Sequence, residues 1–194
     1  MDNKKSMLAI LGSPLKKGTV GSMYNYAVEE AEKKGWNVDK VNLYKSNIEY
    51  CKGCFVCDKT GECVQKDDIQ RIAESLKNCD VVLLAAPVYW ANVPAAVKNM
   101  FDRLRGTVSK ETSTFPQARL SKGKKYIYLT ACNTPSPFSW ICGQSRGAYR
   151  SVNEFFKTAG VKKGYKYVCA NSYKKNGLDE SFKNSISSYL NSIS

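Results

Sequence analysis

The chain has 194 residues, 43% hydrophobic and 24% charged, a balance that suits one globular domain with a sizeable core and excludes disorder as the main state. Lys and Arg number 30 against 17 Asp and Glu, a formal charge of +13. Histidine is absent, which excludes Ser-His-Asp and Cys-His nucleophile pairs, His-ligated metals and an imidazole acid or base, and directs attention to a cofactor or to Cys, Tyr, Lys and carboxylates.

Ser6 to Leu11 is a nearly continuous apolar run ending at Gly12, the pattern of a strand covered on both faces in a parallel sheet. Gly18 to Lys34 comes next, with apolar residues at Val20, Met23, Tyr24, Ala27, Val28 and Ala31, a helical period closed by Gly35. Val38 to Leu43 reads as a second strand, Ile69 to Leu76 as a helix with Asp67 and Asp68 near its positive end, and Val81 to Ala86 as a central third strand. Pro94 to Leu104 is a helix, Tyr126 to Ala131 a fourth strand, Gly147 to Thr158 a helix closed by Gly160, Tyr165 to Ala170 a fifth strand, and Leu178 to Ile193 a terminal amphipathic helix.

This alternation predicts one doubly wound α/β domain over residues 1–194, a five-stranded parallel sheet in the flavodoxin-like order 2-1-3-4-5. Ligands of such sheets sit beyond the carboxyl ends of the strands at the switch point, here between the first and third strands. Two connections are long, 45–66 and 105–125, and long loops in compact domains tend to carry function. No apolar stretch approaches the roughly 18 residues of a membrane span, and the N-terminus lacks a signal-peptide pattern, so a cytoplasmic protein with no membrane partner and largely reduced thiols is expected. The lysines are dispersed and accompany no nucleic-acid-binding signature, so no nucleic-acid partner is expected.

Three loops converge on the expected switch point. Gly12-Ser13-Pro14-Leu15-Lys16-Lys17-Gly18-Thr19 joins a buried strand to a helix and offers hydroxyls, lysines and free backbone N–H groups, the makings of a monophosphate cradle; its spacing is neither a P-loop nor Gly-x-Gly-x-x-Gly. Pro87-Val88-Tyr89-Trp90-Ala91-Asn92-Val93-Pro94 places two aromatic rings and an amide at the sheet's carboxyl edge, where a flat ring system fits. Thr130, Cys132, Asn133 and Thr134 form a third wall, with Cys132 read as a small polar wall residue, not a nucleophile, and Cys79 and Cys169 as core.

These segments, GSPLKKGT, APVYWANVP and ACNTPSPF, resemble the flavin-reductase and iron–sulfur-flavoprotein branch of flavodoxin-like proteins over nearly the whole chain. The resemblance implies that FMN phosphate is wrapped by Ser13, Lys16, Gly18 and Thr19 with the adjoining Val20, and that the isoalloxazine lies against Pro87, Val88, Tyr89, Trp90, Asn92 and Val93, with Thr130, Cys132 and Asn133 beside it. Leu15, Thr19 and Val20 depart from the family's usual Arg, Asn and Thr or Ser, which shifts weight to backbone donors and to Lys16 and Lys17.

Cys51, Cys54, Cys57 and Cys63 have the spacing C-x2-C-x2-C-x5-C. Three thiolates at that spacing can turn onto one centre, which suits an iron–sulfur cluster; structural zinc, a dithiol relay and reduced thiols are the alternatives. The resemblance implies a [4Fe–4S] cluster in one branch of the family and cysteines without a cluster in another. The expected function is that of an FMN-dependent enzyme that takes electrons from NAD(P)H or a ferredoxin-like iron–sulfur donor and passes them to a small acceptor such as a quinone, nitro or azo compound or free flavin. A non-catalytic electron carrier or redox sensor is the alternative. Val93, Val97, Met100, Phe101, Leu104 and Phe115 are read as an apolar surface near the flavin, which points to a homodimer or a dimer of dimers.

Overall fold

The computed structural model describes residues 4–174 and 177–194. The elements in chain order are β1 (Ser6–Leu11), α1 (Thr19–Lys33), β2 (Asn37–Asn42), α2 (Val56–Thr60), α3 (Ile69–Asn78), β3 (Val81–Ala85), α4 (Ala95–Val108), β4 (Ser109–Lys110), β5 (Gln117–Ala118), β6 (Lys125–Cys132), α5 (Phe138–Ile141), α6 (Gln144–Thr158), β7 (Lys162–Ala170) and α7 (Glu180–Ser192). The apolar runs of β1 and β3 are buried on both faces because each strand lies inside the sheet with helices above and below. Alternate side chains feed two cores: Leu8, Ile10, Val82 and Leu84 pack with α3, α4 and α6, while Met7, Ala9, Leu11, Val81 and Leu83 pack with α1 and α7.

The sheet order is β2-β1-β3-β6-β7, every neighbouring pair parallel, which is the 2-1-3-4-5 order expected from the alternation of elements. Its reversal of direction falls between β1 and β3, so the loops after β1, β3 and β6 meet at one edge.

Four local expectations are corrected. The fifth strand begins at Lys162, not Tyr165, because as a sheet edge it carries Lys162 and Lys163 in pairing positions that hydrophobic patterning does not reveal. The 105–125 connection is not an open loop: α4 continues to Val108, and the antiparallel pair β4–β5 closes the chain between Ser109 and Ala118 into a hairpin. The 45–66 segment contains the short helix α2. Finally, Val93, Val97, Met100, Phe101 and Leu104 are each at most 6% exposed and packed in this chain's own core, so they offer no surface to a second copy; of the group only Phe115 stands out in solvent. Among the described residues, no helix is long and apolar enough to cross a membrane.

Candidate active site

Helix α1 starts at Thr19 behind Gly18, whose extended backbone supplies no side-chain cap, and no acidic residue occupies the first turn. Its leading N–H groups therefore lack protein partners of the usual kind and carry the positive end of a 15-residue helix. Ser13 is buried at the mouth of the preceding loop, its Oγ accepting from the Leu15 N–H at 3.3 Å and keeping its proton free to donate. Lys16 and Lys17 are exposed beside it, and the Val20 side chain is buried, leaving only its backbone for a ligand. The loop lies directly on α1: a Cβ at Gly21 would stand 2.2 Å from the Lys16 carbonyl oxygen, so this seat admits only glycine. Gly21 is a site-building residue that motif reading passes over, since it lies inside an ordinary helical pattern.

Backbone hydrogen bonds tie the three loops together. The Gly12 N–H donates to the Ala85 carbonyl at 2.8 Å, and the Val88 N–H donates to the Ala131 carbonyl at 2.9 Å, which carries the β1–β3–β6 pairing past the strand ends. Between them Tyr89-Trp90-Ala91-Asn92 makes a tight turn, the Tyr89 and Asn92 N–H groups each donating to the other's carbonyl at 2.9 Å. Trp90 and Ala91 occupy the left-handed region with φ of 51° and 57°. Such turns ordinarily take Asn-Gly, and a non-glycine there costs roughly 1–2 kcal/mol, a strain of the kind found at ligand clamps. The turn rests on α6, where Gly147 leaves room for the Ala91 carbonyl.

The consequence is a row of rings at the switch point. Trp90 is fully exposed, at 101%, and Tyr89 is half exposed. Tyr44, just past β2, stands close enough to Tyr89 that burial and then that neighbour push its hydroxyl pKa up; as an isolated aromatic in a loop it carries no sequence signal. Pro87 and Val88 are half-buried, Val93 is buried, and the Asn92 Oδ1 accepts from the Val93 N–H, leaving the amide donors outward. Asn133 is exposed at the end of β6, where its Oδ1 accepts from the Ser172 hydroxyl. Cys132 is buried, with its Sγ donating to the Thr134 carbonyl and its thiol pKa raised by burial, a state suited to a wall and not to a nucleophile. Thr130 has no exposed surface and lies under the wall instead of in it.

The sequence model of the NADPH-dependent FMN reductase family matches residues 6–126, which span β1 through the start of β6. The chain belongs to that family. Among individual relatives, an iron–sulfur flavoprotein of Archaeoglobus fulgidus is 42% identical over 97 residues, 50% of this chain and 44% of that protein. An iron–sulfur flavoprotein of Methanosarcina thermophila is 36% identical over 94 residues, 48% and 49% of the two chains. This member of the family thus spans about half the length of the curated relatives it matches. Among solved structures, an FMN-dependent NADH-azoreductase from Bacillus anthracis in complex with FMN has the same fold, with a TM-score of 0.75, 12% identity and coverage of 97% and 99%.

The four clustered cysteines occupy a second region along α4. Cys51 and Cys54 are exposed, Cys57 and Cys63 half-buried, and all four line one hollow with Asp102, Arg103 and Arg105. Thiols in this number, facing arginines, match the chemistry of an anionic iron–sulfur centre. Yet among the described residues no three His, Cys, Asp or Glu side chains are gathered closely enough to hold a metal ion, so the donors are shared by one hollow without forming a ligand set. Burial raises the Cys57 thiol pKa.

Proposed function

We propose that this family member is an FMN-dependent NAD(P)H oxidoreductase acting on a small electron acceptor such as a quinone, nitro or azo compound. The observation that carries the reading is the joining of an uncapped, positively flanked α1 terminus to the aromatic turn by hydrogen bonds through β3 and β6. In this reading Ser13, Lys16, Gly18, Thr19 and the Val20 N–H receive the phosphate. The isoalloxazine lies on Pro87, Val88, Tyr89, Trp90 and Asn92, with Asn133 and Cys132 at its side and Val93 and Thr130 as buried support. When bound, FMN supplies hydride and single-electron chemistry, and the chain's own residues bind, orient and shield it. The solved fold relatives include an NAD(P)H:quinone oxidoreductase from Methanothermobacter marburgensis (TM-score 0.70, 16% identity, coverage 96% and 94%), which lends the acceptor class its direction. Anaerobic mixing of the flavin-loaded protein with NADPH or NADH tests the donor. Bleaching of the flavin followed by reoxidation with a quinone or azo dye is expected, whereas a flavin that stays oxidised with both nucleotides contradicts it.

For the cysteine loop we propose a [4Fe–4S] cluster on Cys51, Cys54, Cys57 and Cys63, a reading supported by their common hollow and by relatives named iron–sulfur flavoproteins. The ungathered thiols favour a second reading, in which they remain reduced. Iron and acid-labile sulfide assays after anaerobic reconstitution separate the two: four of each per chain is the cluster, none is the reduced-thiol loop.

A further inference from the structure

The cysteine loop is seated on a single stretch of α4. Arg103 has no exposed side-chain surface, and its guanidinium spends its donors on both ends of that loop. Before the cysteines, Nη1 donates to the Glu49 carbonyl at 2.6 Å; after them, Nη2 donates to the Gln65 carbonyl at 3.3 Å, and Nε donates to the Cys63 Sγ at 3.3 Å. Asp67 holds the fork from behind, with Nη1 on its Oδ2 at 2.7 Å and Nη2 on its Oδ1 at 3.1 Å. One turn further, Gly106 allows α2 to touch the helix, since a Cβ there would stand 2.4 Å from the Cys57 carbonyl oxygen. Arg105 reaches the Asp58 carboxylate at 3.3 Å and lies over the Phe55 ring.

We propose that Arg103 is the positioning residue of the cysteine loop: it clamps both ends of the four-cysteine segment to α4 and aims one N–H at the Cys63 sulfur. A lysine cannot replace it, because an ammonium lacks the planar fork that meets a carboxylate and two carbonyls while leaving an edge donor for sulfur. The clamp is a property of the chain without iron.

The first test uses iron-free protein labelled with nitrogen-15. An arginine Nε–H resonance that exchanges slowly with water is expected to shift in Cys63→Ala and to stay in place in Cys51→Ala; no arginine Nε resonance moving in Cys63→Ala overturns the proposal. The second uses trypsin, for which Lys52 and Lys59 lie within the loop. Arg103→Lys is expected to quicken cleavage at those sites about tenfold with the far-ultraviolet spectrum retained, since a loosened loop opens more often. Unchanged cleavage in a folded Arg103→Lys protein overturns the clamp, and should that variant not fold, the resonance experiment decides alone.

Discussion

In the proposed function Ser13 and Thr19 divide the flavin site by chemistry, since that reading gives both hydroxyls to phosphate and neither to the ring system. Replacing both by Ala is expected to weaken FMN binding about 10- to 100-fold, the worth of one or two hydrogen bonds to a charged group, while riboflavin loses less than about threefold. Fluorescence titration of the two ligands checks it, and equal losses contradict the assignment. Asp67 governs a different property. Burial acts to push its carboxyl pKa up, but hydrogen bonds from Arg103 and from the Ile69 and Glu49 N–H groups prevail and hold it below the usual carboxylate range. The unfolded carboxyl titrates near about pH 4, so this stabilisation is full above that pH and is lost as pH falls through the lower folded value. Asp67→Ala leaves the buried Arg103 charge unpaired and is expected to cost about 3–5 kcal/mol at pH 7 in urea unfolding. A loss under about 1 kcal/mol would show that the pair is solvated.

The 89–92 turn stores strain that its sequence does not announce. Ala91→Gly relieves one left-handed residue and is expected to raise stability by about 1 kcal/mol, read as a higher urea midpoint with unchanged slope. A lower midpoint would mean that the Ala91 methyl is needed where the turn rests on α6. Trp-Ala is poor turn chemistry, so no reading of propensity finds this geometry; it is imposed by Val88 pairing with Ala131 on one side and by Gly147 on the other. The inner strands behave differently. SMLAIL and VVLLA are apolar throughout because both faces are covered, and that covering is what makes β1, β3 and the switch point legible from one chain. The edge strand β7 mixes lysines with tyrosines, which hides its true start from hydrophobic patterning. That the loops after β1 and β3 meet at the switch point is legible from their places after strands, and that Cys51, Cys54, Cys57 and Cys63 share one hollow is legible from their spacing. Tyr44, Gly21 and Arg103 are not: each acts through a contact between segments that patterning cannot connect.

Assembly depends on the surface left uncovered once α4 has turned its apolar side inward. Trp90, Phe115, Phe138 and Ile141 are more than half exposed, a set of large apolar side chains that a homodimer is proposed to cover. Light scattering of the flavin-loaded protein is expected to give twice the 21.7 kDa chain mass, or four times for a dimer of dimers. A monomer that holds FMN at micromolar concentration would show that one chain completes the site. The positive charge of +13 gives the folded chain a field that attracts phosphorylated cofactors, so flavin association is expected to slow as salt is raised. The three loops joined across β1, β3 and β6 are proposed to form an FMN site. The check is to load the purified chain with FMN, remove the excess, denature the protein and quantify the flavin released. One FMN per chain is expected, and a colourless protein that retains none would show that the three loops do not hold FMN.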